Sequence, residues 1–253
     1  MKSVYMISAA AICLGLLLVG CAGSTMGKTV VRWNLRDPAV QQELDRLMGS
    51  AGISDRSRSL FFGQLEPEGR SLGKENMEDT SVGYDSRMMS YSLLEGNFLE
   101  VDKGETSLPE FPGSSQAGQE LLLDPRAFKI FFAPLPIAPE SREDPAELWL
   151  DSWEKRGVQI HESPRARLIT VLSEKQEDTG AFLVIRQAGI LFPDTQQGMQ
   201  FLYRPAAQEE ISLISAQSRK QLMEYLITEP RSQDTSYGKV PIFLENAVPM
   251  EVS

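Results

Sequence analysis

Two stretches late in the chain constrain its fold more than any other feature. Arg167 to Leu172 and Ala181 to Ile185 carry aliphatic and aromatic side chains at successive positions, with little polar alternation. A strand that is apolar on both faces has to be covered on both. The polar run Glu174 to Gly180 between them reads as a turn, so the pair is expected to form an antiparallel hairpin at the centre of a sheet.

The remaining elements are read around that hairpin. Val30 to Leu35 reads as a first strand. Asp37-Pro38 opens a helix, with Asp as the capping residue and Pro in the first turn. Val40, Leu44 and Leu47 make its apolar stripe, and Gly49 stands where a C-terminal cap belongs. Leu60 to Leu65 reads as a strand. Met88 to Leu94 and Asn97 to Val101 read as a hairpin across Glu95-Gly96, and Phe128 to Phe132 reads as a further strand. Ala133 to Pro139, with three prolines, reads as an extended connector along the surface, with a ligand for another module as the alternative.

Asp144-Pro145-Ala146-Glu147 is the clearest helix start, and the helix is expected to end near Gly157. Trp149 and Trp153 sit on one side of it, where packing into a core is the expectation and a sugar-binding face the alternative. Gly189 to Phe192 and Met199 to Tyr203 read as added strands, residues 217–228 as a helix, and 209–216 as ambiguous. Val240 to Leu244 reads as a last strand, placed at an edge by Pro241. Residues 66–87 and 102–119 read as long loops. The fold class is therefore α+β: a largely antiparallel sheet with about three helices, preceded by an N-terminal signal helix.

That signal is read from the first residues. Lys2 supplies a positive start, Val4 to Val19 an apolar run broken only by Ser8, and Gly20 and Ala22 small residues around a cleavage point. The run is short for a helix crossing a hydrocarbon core, which takes about 20 apolar residues. Leu18-Val19-Gly20-Cys21 resembles the lipobox of bacterial lipoproteins. The resemblance implies that the Cys21 thiol is diacylated, that the bond before it is cut, and that the new amino terminus is often acylated too. Ala22, standing where Asp commonly signals retention at the inner membrane, implies the outer membrane in a diderm host. The resemblance covers the signal and the tetrad alone. The chain accordingly divides into a signal peptide (1–20), a lipidated tether (21–29) and a single globular domain (30–253).

Composition bounds the chemistry. Cys13 leaves with the signal and Cys21 carries lipid, so the mature domain has no thiol for disulfides, zinc or nucleophilic catalysis. The 25 basic and 35 acidic residues give a net charge of −10, which opposes binding to nucleic acid or to anionic headgroups. His161 is the single histidine, and no Gly-x-Ser-x-Gly elbow accompanies it, so it reads as a surface residue rather than a catalytic base. No phosphate-binding glycine loop occurs, and Asp102-Lys103-Gly104-Glu105 lacks the spacing of a calcium loop. No catalytic, metal or cofactor residue is therefore assigned, and no cofactor is expected.

The leading expectation is a non-enzymatic envelope lipoprotein that binds, scaffolds or helps assemble a protein partner, anchored to the membrane through acyl chains on Cys21. The two long loops are its expected docking regions. The alternatives are an anchored hydrolase of envelope polymers, using a carboxylate pair across a cleft, and a carrier of an apolar ligand in an enclosed cavity.

Overall fold

A hairpin that is apolar on both sides needs two covers, and the computed structural model shows both. It describes residues 30–65, 86–102, 122–138, 143–178, 180–196, 198–205, 210–228 and 241–250. In chain order the first elements are β1 (Val31–Trp33), α1 (Pro38–Ser50), α2 (Asp55–Gly63), α3 (Ser86–Leu94), β2 (Leu99–Val101), α4 (Pro125–Phe132), β3 (Leu135–Ile137) and α5 (Pro145–Lys155). There follow β4 (Val158–Ile160), β5 (Arg167–Glu177), β6 (Gly180–Thr195), β7 (Gly198–Tyr203), β8 (Ser212–Ala216), α6 (Arg219–Thr228), β9 (Ile242–Glu245) and β10 (Val248–Pro249).

The expected hairpin is β5–β6, and it stands at the middle of an eight-stranded sheet ordered β1-β8-β7-β6-β5-β9-β10, with β3 also paired to β6. Every ladder in this sheet is antiparallel. The class is α+β with a largely antiparallel sheet, as the sequence indicates. Strand alternation sends one set of side chains to each side. Leu168 and Leu172 of β5, Ile190 of β6 and Leu244 of β9 join a core filled by residues of α1 to α5. Ile169, Val171, Phe201 and Phe243 point the other way, where Leu222, Met223 and Leu226 of α6 cover them.

The pairing of β5 with β6 shifts register between Val171 and Leu172, which oppose Gln187 and Ile185. Arg186 is the extra residue. This bulge moves the inward positions of β6 from Leu183 and Ile185 to Ala188, Ile190 and Phe192, so both halves of the long strand face the same helices.

Six helices form among the described residues, not about three, because three stretches read as strands are helical. Phe128 to Phe132 lies in α4, which Asp124 caps by accepting from the Arg126 and Ala127 N–H groups, with Pro125 at its start. Leu60 to Leu65 falls mainly in α2, capped by the Ser54 hydroxyl, which accepts from Ser57 N–H at 3.1 Å. Met88 to Leu94 forms no hairpin with Asn97 to Val101. It belongs to α3, in which all residues but Arg87 are buried, while β2 pairs with β4 instead. A helix enclosed on every side shows no amphipathic stripe, so its period is invisible in the sequence.

Other expectations are met or adjusted. α1 is capped by Asp37 and α5 by Asp144, each with Pro in the first turn. Gly157 has φ 67°, the left-handed conformation that ends α5. Trp149 and Trp153 are buried core residues, with Trp153 Nε1 donating to the Phe131 carbonyl at 3.0 Å. The ambiguous 209–216 region contains β8, and 217–228 contains α6. The proline-rich connector contributes a strand, β3, to β6. The strand expected at 240–244 is β9, one place in from the edge, which the two-residue β10 occupies. The signal helix, the tether, and most of both long loops lie outside the described residues.

Candidate functional site

Chemistry in a folded domain concentrates where polar groups are buried with specific partners, and two carboxylates among the described residues meet that description. The first is Glu95, directly after α3. The helix carries it into the interior, where 5% of its surface is exposed. One carboxylate oxygen accepts from Leu123 N–H at 2.7 Å, and the other from Asp124 N–H. Burial pushes the Glu95 carboxyl above the usual carboxylate range, with the Asp124 charge adding to the rise. The two N–H donors and Arg56 pull it the other way. Tyr91, one turn earlier in α3, has its phenol pushed up by burial and by these two acids. Its ring meets Phe128 of α4 edge-on at 5.4 Å.

Glu95, raised by burial, thus has a second acid, Asp124, beside it. That is part of what carboxylate hydrolysis demands. Their contacts, however, are architectural. Glu95 holds the backbone that leads into α4, and Asp124 caps the same helix. Together they fasten α4 to the end of α3.

The second is Glu245, at the end of β9, with 7% of its surface exposed. Arg219 at the start of α6 presents a fork to it, Nη2 donating to Oε1 at 2.7 Å and Nε to Oε2. Arg167 of β5 donates from Nη1 to Oε1 at 2.6 Å. Hydrogen bonding to Arg219 holds the Glu245 carboxyl below the usual range against its burial, with both guanidinium charges assisting. The next residue, Asn246, takes φ 55° in the turn between β9 and β10, and its Oδ1 accepts from Leu168 N–H at 2.9 Å. The cluster therefore pins α6, β5 and β9 together on the α6 side of the sheet.

His161 follows β4 on the small β2–β4 ladder. Its imidazole is 47% exposed, with Nε2 at 3.5 Å from Glu100 Oε2, and its backbone N–H donates to the Phe98 carbonyl at 2.8 Å. It is the surface residue the sequence suggests. Among the described residues no group of three or more His, Cys, Asp or Glu is placed to hold a metal ion, and no helix is long and apolar enough to cross a membrane. Cys21 lies outside the described residues.

Sequence reasoning singled out neither Glu95 nor Glu245. Both are single acids among 35, and what distinguishes them is contact across the fold. Glu245 leaves one trace, as an acid closing the apolar run Ile242-Phe243-Leu244.

A family model described as "Domain of unknown function (DUF4300)" matches residues 73–250. The chain belongs to this family. No curated protein and no solved structure matches the chain. Glu95, His161 and Glu245 all fall within the family region, whereas β1, α1 and α2 precede it. Those three elements nonetheless supply an edge strand and the fully buried Leu44, Met48 and Phe61 to the same sheet and core. The folded unit therefore extends N-terminal of the family region.

Proposed function

We propose that this protein is a lipid-anchored component of the cell envelope that binds or holds a partner and is itself fixed to the membrane by acyl chains on Cys21. The observation that carries the reading is the Leu18-Val19-Gly20-Cys21 tetrad behind the apolar run Val4 to Val19. Two or three acyl chains on one residue bind durably, each buried methylene contributing about 0.8 kcal/mol. The anchor therefore fixes location without help from the domain. Ala22 directs the protein to the outer membrane where the host is diderm.

A binding role is favoured by the duties of the two buried carboxylates among the described residues. Glu95 joins α3 to α4, and Glu245 joins α6 to the sheet. Crosslinking in intact cells, followed by recovery of the anchored protein, tests this role. The expected result is a discrete heteromeric product that disappears when Cys21→Ser removes the acyl anchor. Recovery of monomer alone across crosslinkers of several lengths contradicts it.

A second reading, an anchored hydrolase of envelope polymers, draws on Glu95, raised by burial, beside Asp124. Under that reading the wild-type protein releases soluble fragments from purified envelope polymer, and Glu95→Gln abolishes the release while retaining the fold. No release by the wild-type protein removes the hydrolase.

A further inference from the structure

The point where the chain joins the fold fixes which way the domain turns. The first described residue is Val30, and the first strand, β1, is one edge of the eight-stranded sheet. The opposite edge is β10, six strand spacings away, which is roughly 29 Å at about 4.8 Å per spacing. The nine residues Ala22 to Val30 join Cys21 to β1. Nine residues reach at most about 30 Å when drawn straight.

We infer that the β1 edge is the surface this domain turns toward membrane lipid, with Val31 at the headgroup layer and the β9–β10 edge facing away. The inference rests on the reading that Cys21 carries acyl chains. With β1 toward the lipid, the join from Cys21 to β1 lies well within that reach. Laying the β10 edge on the lipid instead holds β1 roughly 29 Å off, which takes up almost the whole reach of nine residues.

Charge points the same way. Ala22 to Arg36 contains Lys28, Arg32 and Arg36 and no acidic residue, within a chain of net charge −10. Arg32 and Arg36 are both exposed, with Arg36 also paired to Glu210. Anionic headgroups attract basic residues held within a Debye length of the surface and repel an acidic domain. With Arg36 neutralised by Glu210, Lys28 and Arg32 draw the β1 edge down while the remainder of the domain is pushed off. Val31, 50% exposed, adds an apolar side chain at that edge, and Val248, 62% exposed, marks the other.

These two exposed valines are matched reporters. Cys13 leaves with the signal and the Cys21 sulfur is held as a thioether, so an introduced cysteine is the one free thiol. Full-length protein with its anchor is prepared as Val31→Cys and as Val248→Cys and labelled with a thiol-reactive fluorophore. Each is reconstituted into vesicles of phosphatidylethanolamine and phosphatidylglycerol that carry a headgroup nitroxide quencher. Severalfold stronger quenching at position 31 than at position 248 is expected. Equal or reversed quenching in protein that floats with the vesicles overturns the orientation and leaves the anchor standing. Protein that fails to float with the vesicles overturns the anchor, and the orientation falls with it.

Discussion

Removing the Glu245 carboxylate should loosen the joint between α6 and the sheet by an amount the structure bounds. Breaking a buried ion pair typically costs 3–5 kcal/mol when the surviving charge stays buried. Here the survivors are Arg167 and Arg219, whose side chains are 37% and 45% exposed and regain water. The loss is then mainly that of hydrogen bonds to a charged group, and we expect about 2–3 kcal/mol for Glu245→Ala. In a domain of this size that lowers Tm by roughly 5–10 °C. Arg167→Ala leaves the Arg219 fork in place and should cost only about 1 kcal/mol, with Arg219→Ala between the two.

Acidity provides an independent signature. The Glu245 carboxyl is held below its ordinary range in the fold. Its stabilisation is therefore complete above the unfolded-state pKa of about 4.3 and is lost as pH falls through the lower folded value. The gap between wild type and Glu245→Gln should be full at neutral pH and close only in strong acid. Urea unfolding followed by circular dichroism, on an unanchored form beginning at Ala22, measures both quantities. A Glu245→Ala protein within about 0.5 kcal/mol of its parent, or a gap indifferent to acid, refutes the reasoning.

Three further outcomes follow from particular contacts. Gly189→Ala would set a Cβ into the Phe201 ring and 2.8 Å from the Leu202 carbonyl oxygen. Overpacking of this kind should cost about 3 kcal/mol, and Phe201→Ala should give no full rescue because the carbonyl remains; a neutral Gly189→Ala in urea unfolding contradicts this. Glu95 titrates above the usual range, so its contribution is present at low pH and lost as pH rises through its folded value. Glu95→Gln should therefore gain on wild type as pH rises above the unfolded carboxylate value of about 4.3, and the opposite trend would count against a buried carboxylate there. A chain starting at Gly73, where the family region begins, loses Leu44, Met48, Ile53 and Phe61 from the core. At about 2–3 kcal/mol each, that approaches the whole stability of a domain. It should show no cooperative thermal transition, and a sharp one would show the family region folding alone.

The parts of the fold that were legible in the sequence are those in which local chemistry and tertiary packing agree. Asp37-Pro38 and Asp144-Pro145 mark α1 and α5 because a capping carboxylate and a proline in the first turn are local devices. The β5–β6 hairpin is legible because its two apolar faces require two covers. Phe128 to Phe132 misleads because a short apolar run does not separate a strand from a buried helix. Asp124-Pro125 just before it is the same start signal as in α1 and α5, and it decides for the helix. α3 is hidden for another reason, since a helix packed on every side has no polar face to set a period. The two buried carboxylates are illegible because each is defined by partners far along the chain: Leu123 and Asp124 for Glu95, and Arg167 and Arg219 for Glu245.

The central claim is that Cys21 carries the membrane anchor, and the most direct test is N-terminal mass analysis of the mature protein combined with metabolic labelling by a fatty-acid analogue. The expected mature chain begins at residue 21 with acyl groups on its sulfur. The Cys21→Ser chain should take up no label and keep its signal, because a serine oxygen cannot form the thioether. Equal labelling of wild type and Cys21→Ser, or a mature N-terminus at any other residue, would contradict the claim.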